Sequence, residues 1–246
     1  MTSEREADTM PTVPKALLFD VFGTCVDWRS GVARAGEALG RRLGITGVDW
    51  LAFADAWRDQ YQPQMETVRS GQRTWVTLDV LHRESLDGVL AAFGLEDVPA
   101  AERDELTLAW HRLDPWPDVV EGLTRLKTRY VIAPCSNGHI ALMVTMAKRA
   151  GLPWDAILGA EVARAYKPQP AVYLGSAEAL GIEPEHVMMV AAHGNDLAAA
   201  ATCGLRTAYV PRPEEFGPGG VGDPAVGQGF DLVADDFRDL AELMDT

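Results

Sequence analysis

No apolar run in this 246-residue chain reaches the length that a membrane-spanning helix requires. Cysteine is scarce as well. Cys25, Cys135 and Cys203 lie far apart and form no CxxC pair or Cys/His cluster, which argues against a disulfide framework or a zinc site. They read as small buried hydrophobes of a reducing cytosol. Positive charge is short too: 22 Lys and Arg stand against 36 Asp and Glu, a net charge of −14. Such a surface repels nucleic acid and anionic membranes, so the expected partner is a small molecule. An anionic ligand would need a locally basic pocket. The opening MTSEREADTMPTVP lacks the basic start and apolar core of a secretion signal, so residues 1–13 read as a flexible tail and the chain as cytoplasmic.

What is present is a patterned globular sequence with 47% hydrophobic residues. KALLF (Lys15 to Phe19) fits a buried strand that ends at Asp20, and Gly23 then permits a sharp turn. From about Ser30 to His111 apolar residues recur at helical spacing in GVARAGEALGRRL, VDWLAFADAWRDQYQPQMETV, WVTLDVLHRESLDGVLAAFGL and AERDELTLAWHRL. This is a block of about four helices, closed by the turn residues DPWPDV. Beyond it, strands (YVIAPC, AIL, HVMMVA, RTAYV) alternate with helices, which implies a parallel sheet covered on both faces. PRPEEFGPGGVGDPAVGQG reads as a Pro/Gly-rich loop and DLVADDFRDLAELM as a last strand or turn and helix. The expected fold is α/β: a doubly wound, Rossmann-like core over 14–28 and 115–246, with an inserted helical-bundle cap over 29–114. A block inserted after the first strand sits over the strand C-termini, where open α/β sheets bind ligands.

Four segments at that edge carry candidate chemistry. Asp20 could be a nucleophile, a metal ligand or a turn cap. Ser136 and Asn137 in CSNGH could hold an anion with the following helix N-terminus, or merely cap that helix. Lys167 in AYKPQPAVY could be a fixed inward charge or a surface lysine. Asp196 in VAAHGNDLAAA could act in the site or cap its helix. Trp50, Trp57, Trp75 and Trp110 lie at apolar helical positions and read as packing. His82, His111 and His186 show no ligand spacing and read as surface or structural residues.

Taken in chain order, FDVFGT, CSN, YKPQPAVY and HGND resemble the four motifs of the haloacid dehalogenase superfamily, and the helical insert resembles its cap. That superfamily contains phosphatases and true dehalogenases. Its phosphatases carry a second aspartate two residues after the nucleophile, as general acid, and bind Mg²⁺. Here Phe22 holds that place, and the fourth motif offers Asp196 alone after Ala191, Ala192 and His193. Halide leaves without a proton, so a bare carboxylate can displace it. The D-x-F-G-T pattern from Asp20 to Thr24 is similar to the L-specific 2-haloacid dehalogenases. The segment AFADAWRDQYQPQM is similar to the cap helix that bears their active-site arginine, which points to Arg58 rather than Arg34, Arg41, Arg42, Arg69 or Arg73.

The resemblance implies a hydrolase for carbon–halide bonds of small 2-haloalkanoic acids, with no metal or organic cofactor. Asp20 would displace halide, with inversion at carbon, and form an ester that water hydrolyses to the 2-hydroxy acid. Lys167 would keep Asp20 ionised, Thr24 would hydrogen-bond near it, and Asp196 would orient Lys167 and help position water. Ser136 would hold the substrate carboxylate. Arg58 and Asn137 would receive halide beside an apolar wall at Phe22, with Tyr173 in a structural or pocket role. A homodimer is possible on family grounds. The best-known L-specific enzymes carry serine and asparagine ahead of the fourth-motif aspartate, where this chain has Ala191 and His193, with Asn195 out of register. His193 either positions or activates the water, or caps a strand end facing solvent. The alternatives left open are a phosphatase of the same superfamily and a non-catalytic protein that binds a small carboxylate.

Overall fold

The computed structural model describes residues 13–220, 222 and 229–246. Residues 1–12 of the expected tail, and 221 and 223–228 of the Pro/Gly-rich loop, lie outside the described residues. Strand β1 (Ala16–Phe19) is buried at every position. It leads to Asp20 and, after a turn, to the short strand β2 (Val26–Asp27). Helices α1 (Trp28–Leu43), α2 (Trp50–Asp59), α3 (Tyr61–Arg69), α4 (Leu78–Ala92) and α5 (Ala100–Thr107) follow, then a 3-10 turn at Leu108–His111. Strand β3 (Asp114–Pro115) pairs antiparallel with β2, so the chain enters and leaves the helical insert through one two-stranded neck.

The insert holds five helices where the periodicity suggests about four. The segment read as one helix from Val48 to Val68 breaks at Gln60. Pro63 explains the break: it has no N–H to donate to Asp59 and its ring crowds the preceding turn, so it is accommodated only in the first turn of a new helix.

The core continues with α6 (Val119–Leu126), β4 (Val131–Ser136), α7 (Ile140–Ala150), β5 (Leu158–Gly159), α8 (Ala160–Ala163), α9 (Pro170–Leu180), β6 (Val187–Ala191), α10 (Gly194–Thr202), β7 (Arg206–Tyr209), β8 (Leu232–Val233) and α11 (Phe237–Leu243). Six strands form one parallel sheet in the order β5-β4-β1-β6-β7-β8. Connections run outward in opposite directions from β1 and β6, so the topological switch point lies between them, where open α/β sheets form their ligand crevice. Phe19 pairs with Val190, and the Asp20 N–H donates to the Val190 carbonyl at 3.0 Å. The residues after both strands are thereby set side by side. Leu17 and Phe19 join the apolar cluster that continues into the helical insert, while Leu18 faces a second cluster with Met189 and Tyr173, as the two-residue strand period demands.

One buried ion pair ties the loop after β7 to the core. Arg212 donates both terminal nitrogens to Asp118, at 2.9 and 2.8 Å, and its Nε to the Thr24 carbonyl at 2.9 Å. Asp118 also accepts from the Phe237 N–H at 2.8 Å. Asp118→Ala would strand the guanidinium in the interior. It is expected to cost about 3–5 kcal/mol of stability, read as a lower urea midpoint.

Candidate active site

Four loops at the C-terminal edge of the sheet converge on Asp20. The cis-linked pair Lys167–Pro168 precedes α9, which starts with Pro170 in its first turn. Lys167 reaches the sheet edge, where its Nζ donates to Asp20 Oδ1 at 2.9 Å and to Asp196 Oδ2 at 2.5 Å. Asp196 lies in the first turn of α10, and its other oxygen accepts from the Tyr173 hydroxyl at 2.5 Å. The second Asp20 oxygen accepts from Thr24 Oγ1 at 2.8 Å, and Thr24 itself accepts from the Ala192 N–H at 2.9 Å. His193 Nδ1 lies 3.0 Å from the same Asp20 oxygen.

Burial alone would raise the Asp20 carboxyl, but the Lys167 and His193 cations override it and hold the group far below the usual carboxylate range. Burial likewise opposes the charge on Lys167, and Asp196 and Asp20 keep it protonated well above the ordinary lysine value. Asp196 is pushed up, chiefly by burial. Burial and the Asp196 charge also raise Tyr173, so its hydroxyl stays a donor.

The far side of His193 holds a residue that sequence reasoning missed. Glu215, 1% exposed, approaches His193 Nε2 at 2.9 Å and accepts from Trp28 Nε1 at 3.0 Å. Burial would lower the imidazole, yet the two flanking carboxylates raise it to about 10. His193 is therefore a cation between Asp20 and Glu215 rather than a solvent-facing cap. Gly23 makes room for this: its φ is +85°, and a Cβ there would lie 2.1 Å from Glu215 Oε1. The available signal was a Glu in a loop leaving β7 at the same sheet edge as the other motifs.

A cavity of about 260 Å³ lies between the helical insert and Asp20, lined by Phe22, Arg58, Tyr61, Gln62, Asn137, Lys167, His193, Asn195 and Asp196. Arg34, Arg41, Arg42, Arg69 and Arg73 are each bound to a carboxylate elsewhere. Arg58 has no carboxylate partner among the described residues. Its guanidinium lies 4.0 Å over the Tyr61 ring and 5.3 Å from that of Trp28, and its Nη1 is buried without a hydrogen-bond partner. Phe22 packs edge-on against Tyr61 and Trp110.

Not every expected contact is present. Ser136 is fully buried, does not line the cavity, and accepts from the Gly138 N–H at 3.1 Å, so it shapes its own turn. The Ile140 N–H at the start of α7 is taken by Glu161 at 2.7 Å, so that helix end already holds an anion. Asn137 reaches the cavity while its Oδ1 accepts from the Lys167 N–H at 2.8 Å. Asn195, out of register in sequence, lines the cavity, as do Tyr61 and Gln62, which were not singled out. Tyr173 stands behind Asp196 rather than on the cavity wall. His82 and His111, 2% and 7% exposed, are interior residues and not surface ones.

A parallel sheet with a lysine-bridged aspartate pair at its switch point, beneath a helical insert, is an α/β fold with a ligand crevice at the strand C-termini. Residues 14–204 match the haloacid dehalogenase-like hydrolase family model, and the chain belongs to that family. It is 30% identical over 212 residues to (S)-2-haloacid dehalogenase 4A of Burkholderia cepacia, covering 83% of this chain and 88% of that protein. Its fold is similar to that of the defluorinating L-2-haloacid dehalogenase Rha0230, with 48% identity, a TM-score of 0.92 and coverage of 95% and 96% of the two chains. The L-2-haloacid dehalogenase PA0810 is similar at 46% identity and a TM-score of 0.90, over 94% and 99%.

The His193 charge has a consequence for stability. Its pKa of about 10 in the fold lies above the ordinary 6.5, so its contribution is complete below about pH 6.5 and is lost as pH rises toward 10. The stability difference between wild type and His193→Gln in urea unfolding is expected to shrink across that window. A difference independent of pH would mean a neutral imidazole in the folded protein.

Proposed function

We propose that this protein is a hydrolytic 2-haloacid dehalogenase that works through a covalent ester on Asp20. The observation that carries the reading is the pairing of a buried, cation-held carboxylate with a guanidinium that has no carboxylate partner among the described residues, across a small cavity walled by Phe22. A carboxylate held ionised is a nucleophile that needs no base. With Phe22 beside it instead of an acid, the leaving group must depart as a stable anion. Arg58, lacking a carboxylate of its own, receives it, with Asn137 nearby. The cavity is at the small end for ligand sites, which suits acids of two or three carbons. Fluoride belongs among the leaving groups to be tested, since Rha0230 is described as defluorinating.

The proposed sequence balances as follows. An Asp20 oxygen attacks the carbon bearing the halogen in line, inverting it, and halide leaves. Asp20 then carries no charge. Two of the influences that raise His193, the Asp20 hydrogen bond and the Asp20 charge, vanish, while the burial that lowers it remains. The imidazole sheds a proton to solvent and becomes a base held in orientation by Glu215. Water attacks the ester carbonyl, giving its proton through His193 to the departing hydroxy-acid oxygen. The new Asp20 carboxyl returns its proton to His193. The net change is haloacid plus water to hydroxy acid, halide and one proton. Lys167 and Asp196 keep their charges throughout. In this reading residues 29–114 act as a cap over a core of 14–28 and 115–246.

Halide release from fluoroacetate, chloroacetate and each enantiomer of 2-chloropropionate tests the proposal. Asp20→Asn is expected to abolish release, and no halide from any of the four acids with wild type would sink the reading. His193→Gln is expected to lower turnover by about 10²–10⁴-fold and to accumulate an adduct on Asp20, detected by peptide mass spectrometry. Glu215→Gln is expected to accumulate the same adduct to a lesser degree. Unchanged turnover in both variants would remove His193 and Glu215 from the hydrolytic step.

A further inference from the structure

Away from the cavity, three side chains from separate elements meet. Asp79 lies in the first turn of α4, His111 ends the 3-10 turn at Leu108–His111, and His139 stands immediately before α7. Their potential ligand atoms all lie within 4.8 Å of one another. His111 Nε2 is 2.9 Å from both Asp79 oxygens, and His139 Nε2 is 3.4 Å from Asp79 Oδ2. The two rings stand edge to face, with centroids 5.8 Å apart. Both histidines are more than nine-tenths buried, whereas the Asp79 side chain is 28% exposed and opens the cluster to solvent.

An Asp–His hydrogen bond accounts for His111 but not for His139. The His139 Nδ1 is buried with no partner, and its Nε2 makes only the 3.4 Å approach. A buried imidazole with a single loose contact is under-satisfied and calls for an explanation. A metal ion bound at Nε2, the nitrogen that faces Asp79, supplies that atom with a partner. Bonds of ~2.0–2.1 Å in a tetrahedral site place ligand atoms roughly 3.3 Å apart. The His139–Asp79 separation already has that value, and the His111 pair needs to open only slightly once an ion replaces its proton.

We propose that Asp79, His111 and His139 form a binding site for a divalent transition metal of the Zn²⁺ type. Two imidazole nitrogens and one carboxylate oxygen are the donor set such ions take, whereas Mg²⁺ and Ca²⁺ require oxygen. Water entering past the exposed edge of Asp79 completes the tetrahedron. The site is separate from Asp20, and it bridges the helical insert to the loop that carries Asn137, two residues before His139. Its occupancy therefore pins α4 and the end of the insert to one wall of the cavity.

The test uses untagged protein freed of metal by a chelator and titrated with Zn²⁺ in a calorimeter. One equivalent is expected to bind saturably, and the unfolding temperature is expected to rise with Zn²⁺ concentration. Co²⁺ is expected to give the visible absorption of a four-coordinate N/O site. His139→Gln, His111→Gln and Asp79→Asn are each expected to weaken Zn²⁺ by at least about 100-fold, the upper end of what an outer-shell partner contributes. Unfolding without metal identifies any variant that fails to fold, and each of the other two then answers alone. His193→Gln is expected to keep the equivalent. The proposal is overturned if no saturable equivalent binds. It is overturned equally if binding survives in the three ligand variants or is lost in His193→Gln, which would place the ion at Asp20.

Discussion

The Lys167 ammonium between Asp20 and Asp196 is the contact on which the rest of the site depends. Two carboxylates this close and this buried would repel, and one would take up a proton to relieve the strain. A single buried cation at 2.9 and 2.5 Å from them removes that outcome. The Tyr173 hydroxyl gives Asp196 a second donor that favours its ionised form, while Asp20, with two cations beside it, has the environment that favours ionisation most. The fold serves this placement. β1 and β6 lie adjacent and in register, which sets Asp20 beside the loop of His193 and Asp196. The first turn of α9 directs Lys167 between them.

The helical insert contributes what the sheet edge cannot. Trp28, Trp57, Trp110, Phe22 and Tyr61 form a packed aromatic layer above the carboxylates, and Arg58 is the cation set into it. Water is excluded from one side of Asp20 while its charge is balanced from the other. A carboxylate in such a setting is poorly hydrated yet still ionised, the state in which it is most nucleophilic. The neck of β2 and β3 lets this layer descend onto the core without interrupting the sheet.

Much of this was legible in the sequence because the relevant signals are local. A buried strand followed by a glycine turn exposes Asp20, and prolines around Lys167 mark a fixed loop. Strand-to-helix junctions recur at the same sheet edge by the topology of a parallel sheet. Arg58 was legible only through resemblance, since it is one of ten arginines in residues 29–114 and only ion pairing separates it from Arg34, Arg41, Arg42, Arg69 and Arg73. Pro63 carried the α2–α3 break in plain view, but apolar periodicity across it masked the boundary. Ser136 looked like a ligand group because a serine beside a helix N-terminus often is one; here Glu161 from another element fills that end. Glu215 was the least legible, marked only by being a Glu in the loop that leaves β7. Its position depends on the distant pairing of Arg212 with Asp118 and on the absence of a side chain at Gly23, neither of which leaves a local trace.

Phe22 and His193 then read as two parts of one arrangement. In the proposed reaction the first step needs no acid beside Asp20, because halide departs unprotonated. The proposed second step does need a proton carrier, and the role falls to His193 at the end of β6, 3.0 Å from Asp20. There the carrier meets a conflict. As a cation it sharpens the nucleophile, and as a neutral base it would activate water, but it cannot be both at once. In the proposed reaction the conflict is resolved by the chemistry itself. Ester formation cancels the Asp20 charge that held the imidazole protonated, while Glu215, untouched by the reaction, keeps the ring aimed. One histidine between a reacting and a non-reacting carboxylate can thus serve both halves of the cycle, and the aromatic ring of Phe22 can stay where an acid would otherwise be required.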